Sequence, residues 1–144
     1  MNSINRERAF SAIVHDGKIA MIHEIKPGRE FWTLPGGGVE NGETLEDAAI
    51  REAYEETNLK IKIVRYLYKN EYAGGTQYCF LAEPLNEDEI KAGYDPEVGK
   101  AGQVIKEAEW KSIDEVKDDK MVSVVIKILT SEEKNKYKIF ADKK

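Results

Sequence analysis

Apolar and polar positions fall in short runs through the first quarter of the chain and then change period. Residues 9–14 and 19–24 are two mainly apolar runs, and Asp16-Gly17 between them is a strong short-range hairpin signal. Pro27-Gly28 marks a turn, after which residues 31–34 read as a strand ending at Pro35. A helical period follows. At about 100° of rotation per residue, Leu45, Ala48, Ala49, Glu52, Glu55, Glu56 and Leu59 lie within an arc of roughly 120°. Thr44 followed by Asp47 resembles a capping box with Asp in the usual Glu position, which predicts a helix over about 45–57.

Residues 61–69 and 77–82, rich in β-branched and aromatic side chains, read as strands joined by a turn at Gly74-Gly75. Residues 83–103 are polar and glycine-bearing, and a loop this long in a compact domain is usually functional or mobile. A further strand is expected over 107–113. Apolar residues at 121, 122, 125, 126, 128 and 129 fit a helix, with a strand left open by the valines. Lysines 134, 136, 138, 143 and 144 read as a solvated basic tail. Ile50 and Tyr54 fall on the side of the 45–57 helix away from the glutamates, which predicts cover on two sides: a sheet below and another layer beyond. The expected fold class is α/β, an α/β/α sandwich around a mixed β-sheet, as one domain over residues 1–144.

Three acids on an inward stripe conflict with ordinary burial. Like charges four residues apart cost a helix about 0.2–0.5 kcal/mol even in water, and burying unpaired carboxylates costs much more. A solvated charged face is the plainer alternative, and Arg51 with Glu55 makes an ordinary pair of opposite sign. If the acids are buried, a hard divalent cation neutralises them, because Mg²⁺ takes carboxylate oxygens and brings substrate phosphates with it. The segment in front contains Gly36, Gly37, Gly38 and Gly42, where backbone can approach a ligand closely. It is neither a dinucleotide fingerprint, since Asn41 stands at the last glycine position, nor a P-loop, since Glu43 follows Gly42 where lysine is required.

Gly37, Glu43, Arg51, Glu52, Ala53, Glu55, Glu56 and Leu59 together resemble the Nudix box of the MutT-like pyrophosphohydrolases, G-x5-E-x7-R-E-U-x-E-E-x-G-U with U aliphatic. One fixed position departs: Asn58 stands where the family has glycine, at a helix end where Asn is the next most tolerated residue in a left-handed conformation. The resemblance implies a Nudix-type sandwich and metal-dependent hydrolysis of a pyrophosphate bond in a nucleoside diphosphate linked to another group, such as a nucleoside triphosphate or ADP-ribose. By position, Glu52, Glu55 and Glu56 are the expected ligands of Mg²⁺ or Mn²⁺, with a main-chain carbonyl of Gly36 or Gly37, while Arg51 pairs with Glu43 and orients the cluster. The family often takes a general base from a later glutamate. Glu107, three residues before Trp110, is preferred here over Glu97 and Glu89. A catalytically silent nucleotide-binding sensor on the same fold is the alternative.

Composition narrows the setting. The chain has 144 residues, 41% hydrophobic and 34% charged, with no apolar run near the roughly 18 residues of a membrane span. No signal-peptide layout opens it, and a single Cys79 fits a reducing cytoplasm and a strand position rather than a nucleophile. Net charge of −5 argues against binding a nucleic-acid polymer or a membrane surface and leaves a small nucleotide-type substrate as the expected partner. Oligomeric state is left open, with a homodimer among the alternatives. Phe31, Trp32, Tyr68, Tyr72, Tyr78 and Phe80 could stack a base, although strand aromatics are more often core. His15 and His23 read simply as hairpin residues.

Overall fold

The computed structural model describes residues 6–93 and 104–140. Asp16 and Gly17 both take positive φ, 51° and 82°, as a twisted two-residue hairpin requires. They join β1 (Arg6–His15) to β2 (Lys18–Lys26). The two strands pair only near the turn, Val14 opposite Ile19 and His15 opposite Lys18, and then part. Beyond that point β1 pairs antiparallel with β4 (Gly36–Gly38) and parallel with β6 (Gly75–Pro84), which pairs in turn with β5 (Ile61–Tyr72). β2 pairs instead with β3 (Arg29–Thr33) and β7 (Val104–Ser112). The mixed seven-stranded sheet therefore divides on either side of the hairpin, and a cleft opens between β1 and β2.

β1 is buried on both faces, and its alternation assigns each face a layer. Ala9 and Ile13 pack with Ala48, Ala49 and Ala53 of α1 (Leu45–Thr57). Phe10, Ala12 and Val14 pack with Val122, Val125 and Leu129 in and just after α3 (Lys120–Ile128). Helices on both sides of a mixed sheet make the expected α/β/α sandwich.

Several expectations need correction. Ile50 and Tyr54 are 37% and 48% exposed, so α1 is an outer layer covered on one side only; the second helical layer is α3, across the sheet. The glycines at 36–38, for which no element was expected, form the short strand β4. Ile113 opens a short helix, α2 (Ile113–Val116), instead of ending a strand. The basic tail is only partly solvated. It contains α4 (Ser131–Lys136), after which Tyr137 and Ile139 are buried and the Tyr137 hydroxyl donates to Glu83 Oε2 at 2.5 Å. Lys143 and Lys144 lie outside the described residues. Cys79 is buried in β6, and burial pushes its thiol up to about 12, which suits a packing role.

Candidate active site

α1 begins where the local chemistry asks it to. Thr44 Oγ1 accepts from Asp47 N at 3.0 Å, and Glu46 and Asp47 complement the positive end of the helix. It stops at Asn58, whose φ of 66° and N–H bond to Tyr54 O make it the left-handed cap anticipated for the family's glycine. Asn58 does one thing glycine cannot. Its Nδ2 donates to Glu89 O at 2.9 Å, while Lys91 N and Gly93 N donate to Thr57 O and Glu56 O at 3.0 Å each. Residues 86–93 thus strap the end of the helix.

Within α1, Glu52 and Glu56 are 6% and 3% exposed, and Glu55 is half-buried. Both buried acids rest on β4. Gly36 N donates to Glu56 Oε1 at 2.9 Å, and a Cβ at Gly37 would stand 2.5 Å from Glu52 Oε2, so a larger residue there would push that carboxylate from its present place. Burial, then the neighbouring Glu52, hold the Glu56 carboxyl well above the usual range despite the Gly36 amide.

Arg51 is the hub on the outer side. Its Nε and Nη2 reach Glu43 Oε2 and Oε1 at 2.6 and 3.0 Å, Nη2 also donates to Gly38 O at 2.9 Å, and Nη1 approaches Glu52 at 3.2 Å and Glu55 at 3.3 Å. This fork holds the Glu43 carboxyl below its ordinary range and the guanidinium above its own. As the side chains stand, no group of three histidine, cysteine or acidic side chains among the described residues is gathered closely enough to hold an ion. Glu52 and Glu55 are turned toward Arg51, and Glu56 toward Gly36. The residues nonetheless fit a hard divalent cation: the donors are carboxylate oxygens on one helix face, two are buried, and Gly37 leaves Glu52 its place.

One acid went unnoticed in the sequence. Glu24 on β2 is 8% exposed, adds to the repulsion felt by Glu56, and lines with Gly36 a cavity of about 260 Å³ in the cleft between the diverging strands. The signal was present, a charge closing a mainly apolar strand run. Phe10, Phe31, Arg8, Arg29 and Gln77 supply other walls of this cavity. A larger cavity, about 660 Å³, lies beyond the 39–43 loop against Arg6, Glu7 and Glu43, and neither Glu52 nor Glu56 lines it.

Glu107 is not brought to the cluster. It pairs with His23 across β2 and β7, its carboxylate 3.8 Å from Nδ1 and 46% exposed, and His23 points to the face of β2 opposite Glu24. His23 stacks on Trp32 with ring centroids 4.8 Å apart, so it is more than a hairpin residue. Glu89 sits in a 3-10 turn, Glu87–Glu89, and Glu97 falls outside the described residues. Of the candidate stacking aromatics, Phe31 lines the cavity near the acids, whereas Phe80 is core.

An acid-bearing helix laid on a glycine strand, in a mixed sheet flanked by helices, is the class of fold seen in solved Nudix structures. A NUDIX hydrolase from Nitrosomonas europaea superposes with a TM-score of 0.64 at 23% identity, over 90% of this chain and 91% of that one. The NUDIX domain profile matches residues 5–131, and the chain belongs to that family. Among curated relatives, an RNA pyrophosphohydrolase of Wolbachia is 31% identical over 102 residues, 58% of this chain and 60% of that protein. The phosphatase NudJ of Escherichia coli is 31% identical over 72 residues, 49% of this chain and 47% of its own. The chain thus matches about half to three fifths of the length of these relatives.

Proposed function

We propose that this protein hydrolyses a pyrophosphate bond in a nucleoside diphosphate joined to a further group, using a divalent cation, Mg²⁺ or Mn²⁺. Glu52, Glu55 and Glu56 are assigned as its ligands with a main-chain carbonyl of Gly36 or Gly37, and Arg51 with Glu43 as the pair that orients them. When bound, such a cation screens the phosphates and acidifies a water. The protein's remaining work is placement and electrostatics, since displacement at phosphorus asks little covalent chemistry of it.

The observation that carries this reading is the pair of buried carboxylates, Glu52 and Glu56, set on the glycine strand where the cleft opens. The adjacent cavity suits the nucleoside end of a substrate. Phe31 supplies an aromatic wall, with the Arg29 guanidinium 4.5 Å from its ring centre, and Arg8 and Arg29 offer positive charge toward phosphate or sugar oxygens. Its 260 Å³ is near the lower end of ligand pockets, about 300 Å³, enough for a base or a sugar. The relatives' names agree on phosphate chemistry and differ on substrate, and a net charge of −5 favours a small nucleotide over an RNA end. The buried, unreactive Cys79 and the absence of any membrane-spanning helix among the described residues are compatible with work in the cytoplasm.

The test is a panel of nucleoside triphosphates, ADP-ribose, nucleotide sugars, dinucleoside polyphosphates and a 5′-triphosphorylated RNA, each with Mg²⁺ and with EDTA, read by product identity. Cleavage of a small nucleotide between phosphorus atoms, lost in EDTA, supports the proposal. Preference for the RNA would overturn the small-substrate assignment, and no Mg²⁺-dependent cleavage of any member would overturn the activity.

A further inference from the structure

A Mg²⁺-type cation takes its oxygens from all around it, roughly octahedrally. The acids of α1 approach from one side only, because a helix presents a single face. β2 is the element opposite. Its regular pairing with β3 sets Glu24 across from Phe31 and Ile22 across from Thr33, which turns these side chains into the cleft, and Glu24 shares the cavity wall with Gly36, the residue that holds Glu56.

We propose that Glu24 contributes a carboxylate to the divalent-cation site from the wall facing α1, so that the site is built from two elements rather than from the Nudix box alone. This rests on the assignment of Glu52, Glu55 and Glu56 as metal ligands. A buried carboxylate beside another needs a reason: Glu24 is as buried as the box acids and lines one cavity with Gly36, whose amide holds Glu56. A cation between them converts the repulsion into attraction. The arginines of the same cavity rest on its aromatic walls: the Arg8 guanidinium lies 5.1 Å from the centre of the Phe10 ring and the Arg29 guanidinium 4.5 Å from that of Phe31. The cavity therefore carries one carboxylate, Glu24, beside Gly36 and two guanidinium groups, a set of charges that suits a metal ion carrying an anionic substrate.

Mn²⁺ binding to the full chain, followed through the electron paramagnetic resonance of free Mn²⁺, tests this without reference to turnover. Wild type, Glu24→Gln, Glu24→Asp and Glu107→Gln are compared, with thermal melts in EDTA to show that each is folded. Glu24→Gln is expected to bind at least tenfold more weakly or to lose one ion per chain. Glu24→Asp, which keeps the charge on a shorter arm, should fall between it and wild type, and Glu107→Gln should match wild type. If Glu24→Gln cannot be melted cooperatively, Glu24→Asp decides alone, and an isotherm within twofold of wild type overturns the proposal. A normal isotherm for Glu24→Gln together with a raised KM assigns Glu24 to substrate and also overturns it. Failure of wild type itself to bind Mn²⁺ overturns the underlying ligand assignment as well.

Discussion

Arg51 grips Glu43 with two parallel hydrogen bonds, 2.6 and 3.0 Å, while its remaining nitrogen reaches the acids on its own helix. Lysine cannot reproduce this, because a single ammonium lacks the planar fork. Arg51→Lys is expected to lose activity by about 10- to 100-fold, the usual cost of removing a partner that orients metal ligands. Steady-state rates at saturating Mg²⁺ check it, and a change under twofold would show that charge alone suffices.

Glu55→Gln and Glu56→Gln each remove a charge and keep the shape. Hydrolysis should fall by orders of magnitude; activity within about threefold of wild type, well under 1.4 kcal/mol of barrier, would remove the ligand assignment.

The same acids should strain the metal-free fold. In EDTA, Glu56→Gln is expected to melt above wild type, by about 0.5–2 kcal/mol of added stability, as function-costing stabilising changes commonly do. Adding Mg²⁺ should raise the wild-type melt by mass action and the variant's less. Four identical melting curves would mean that the glutamates form a solvated surface.

Gly37→Ala places a methyl group 2.5 Å from Glu52 Oε2 and should weaken metal binding by displacing that carboxylate. Gly28→Ala is the control. Nothing lies within 4 Å of its added Cβ, but φ is +85°, so it should cost about 1 kcal/mol of stability and leave turnover intact. Calorimetric Mg²⁺ titration and thermal melts separate the two outcomes.

Asn58→Gly keeps the left-handed cap and deletes the bond from Nδ2 to Glu89 O. Stability should fall by about 0.5–1 kcal/mol, the net worth of one exposed hydrogen bond, with turnover within twofold. A large loss of turnover would give Asn58 a part in catalysis.

How much of this was legible in the sequence differs from element to element. The hairpin at Asp16-Gly17, the helix over 45–57, its Thr44 cap and the left-handed Asn58 were all readable, because each depends on φ preferences and hydrogen bonds within a few residues. The inward turn of Glu52 and Glu56 was readable too, since a period of 3.6 residues fixes which side chains share a face. Periodicity does not say what that face meets. The joining of Glu24 to Glu56, 32 positions apart, the pairing of β4 with β1, and the removal of Glu107 to the His23 face were decided only when β2 parted from β1 and the sheet divided. Ile50 and Tyr54 teach the same point from the other side: apolar residues on a second helix face suggested cover, but the layer that completes the sandwich formed across the sheet, where Val122 and Val125 of α3 are buried against β1.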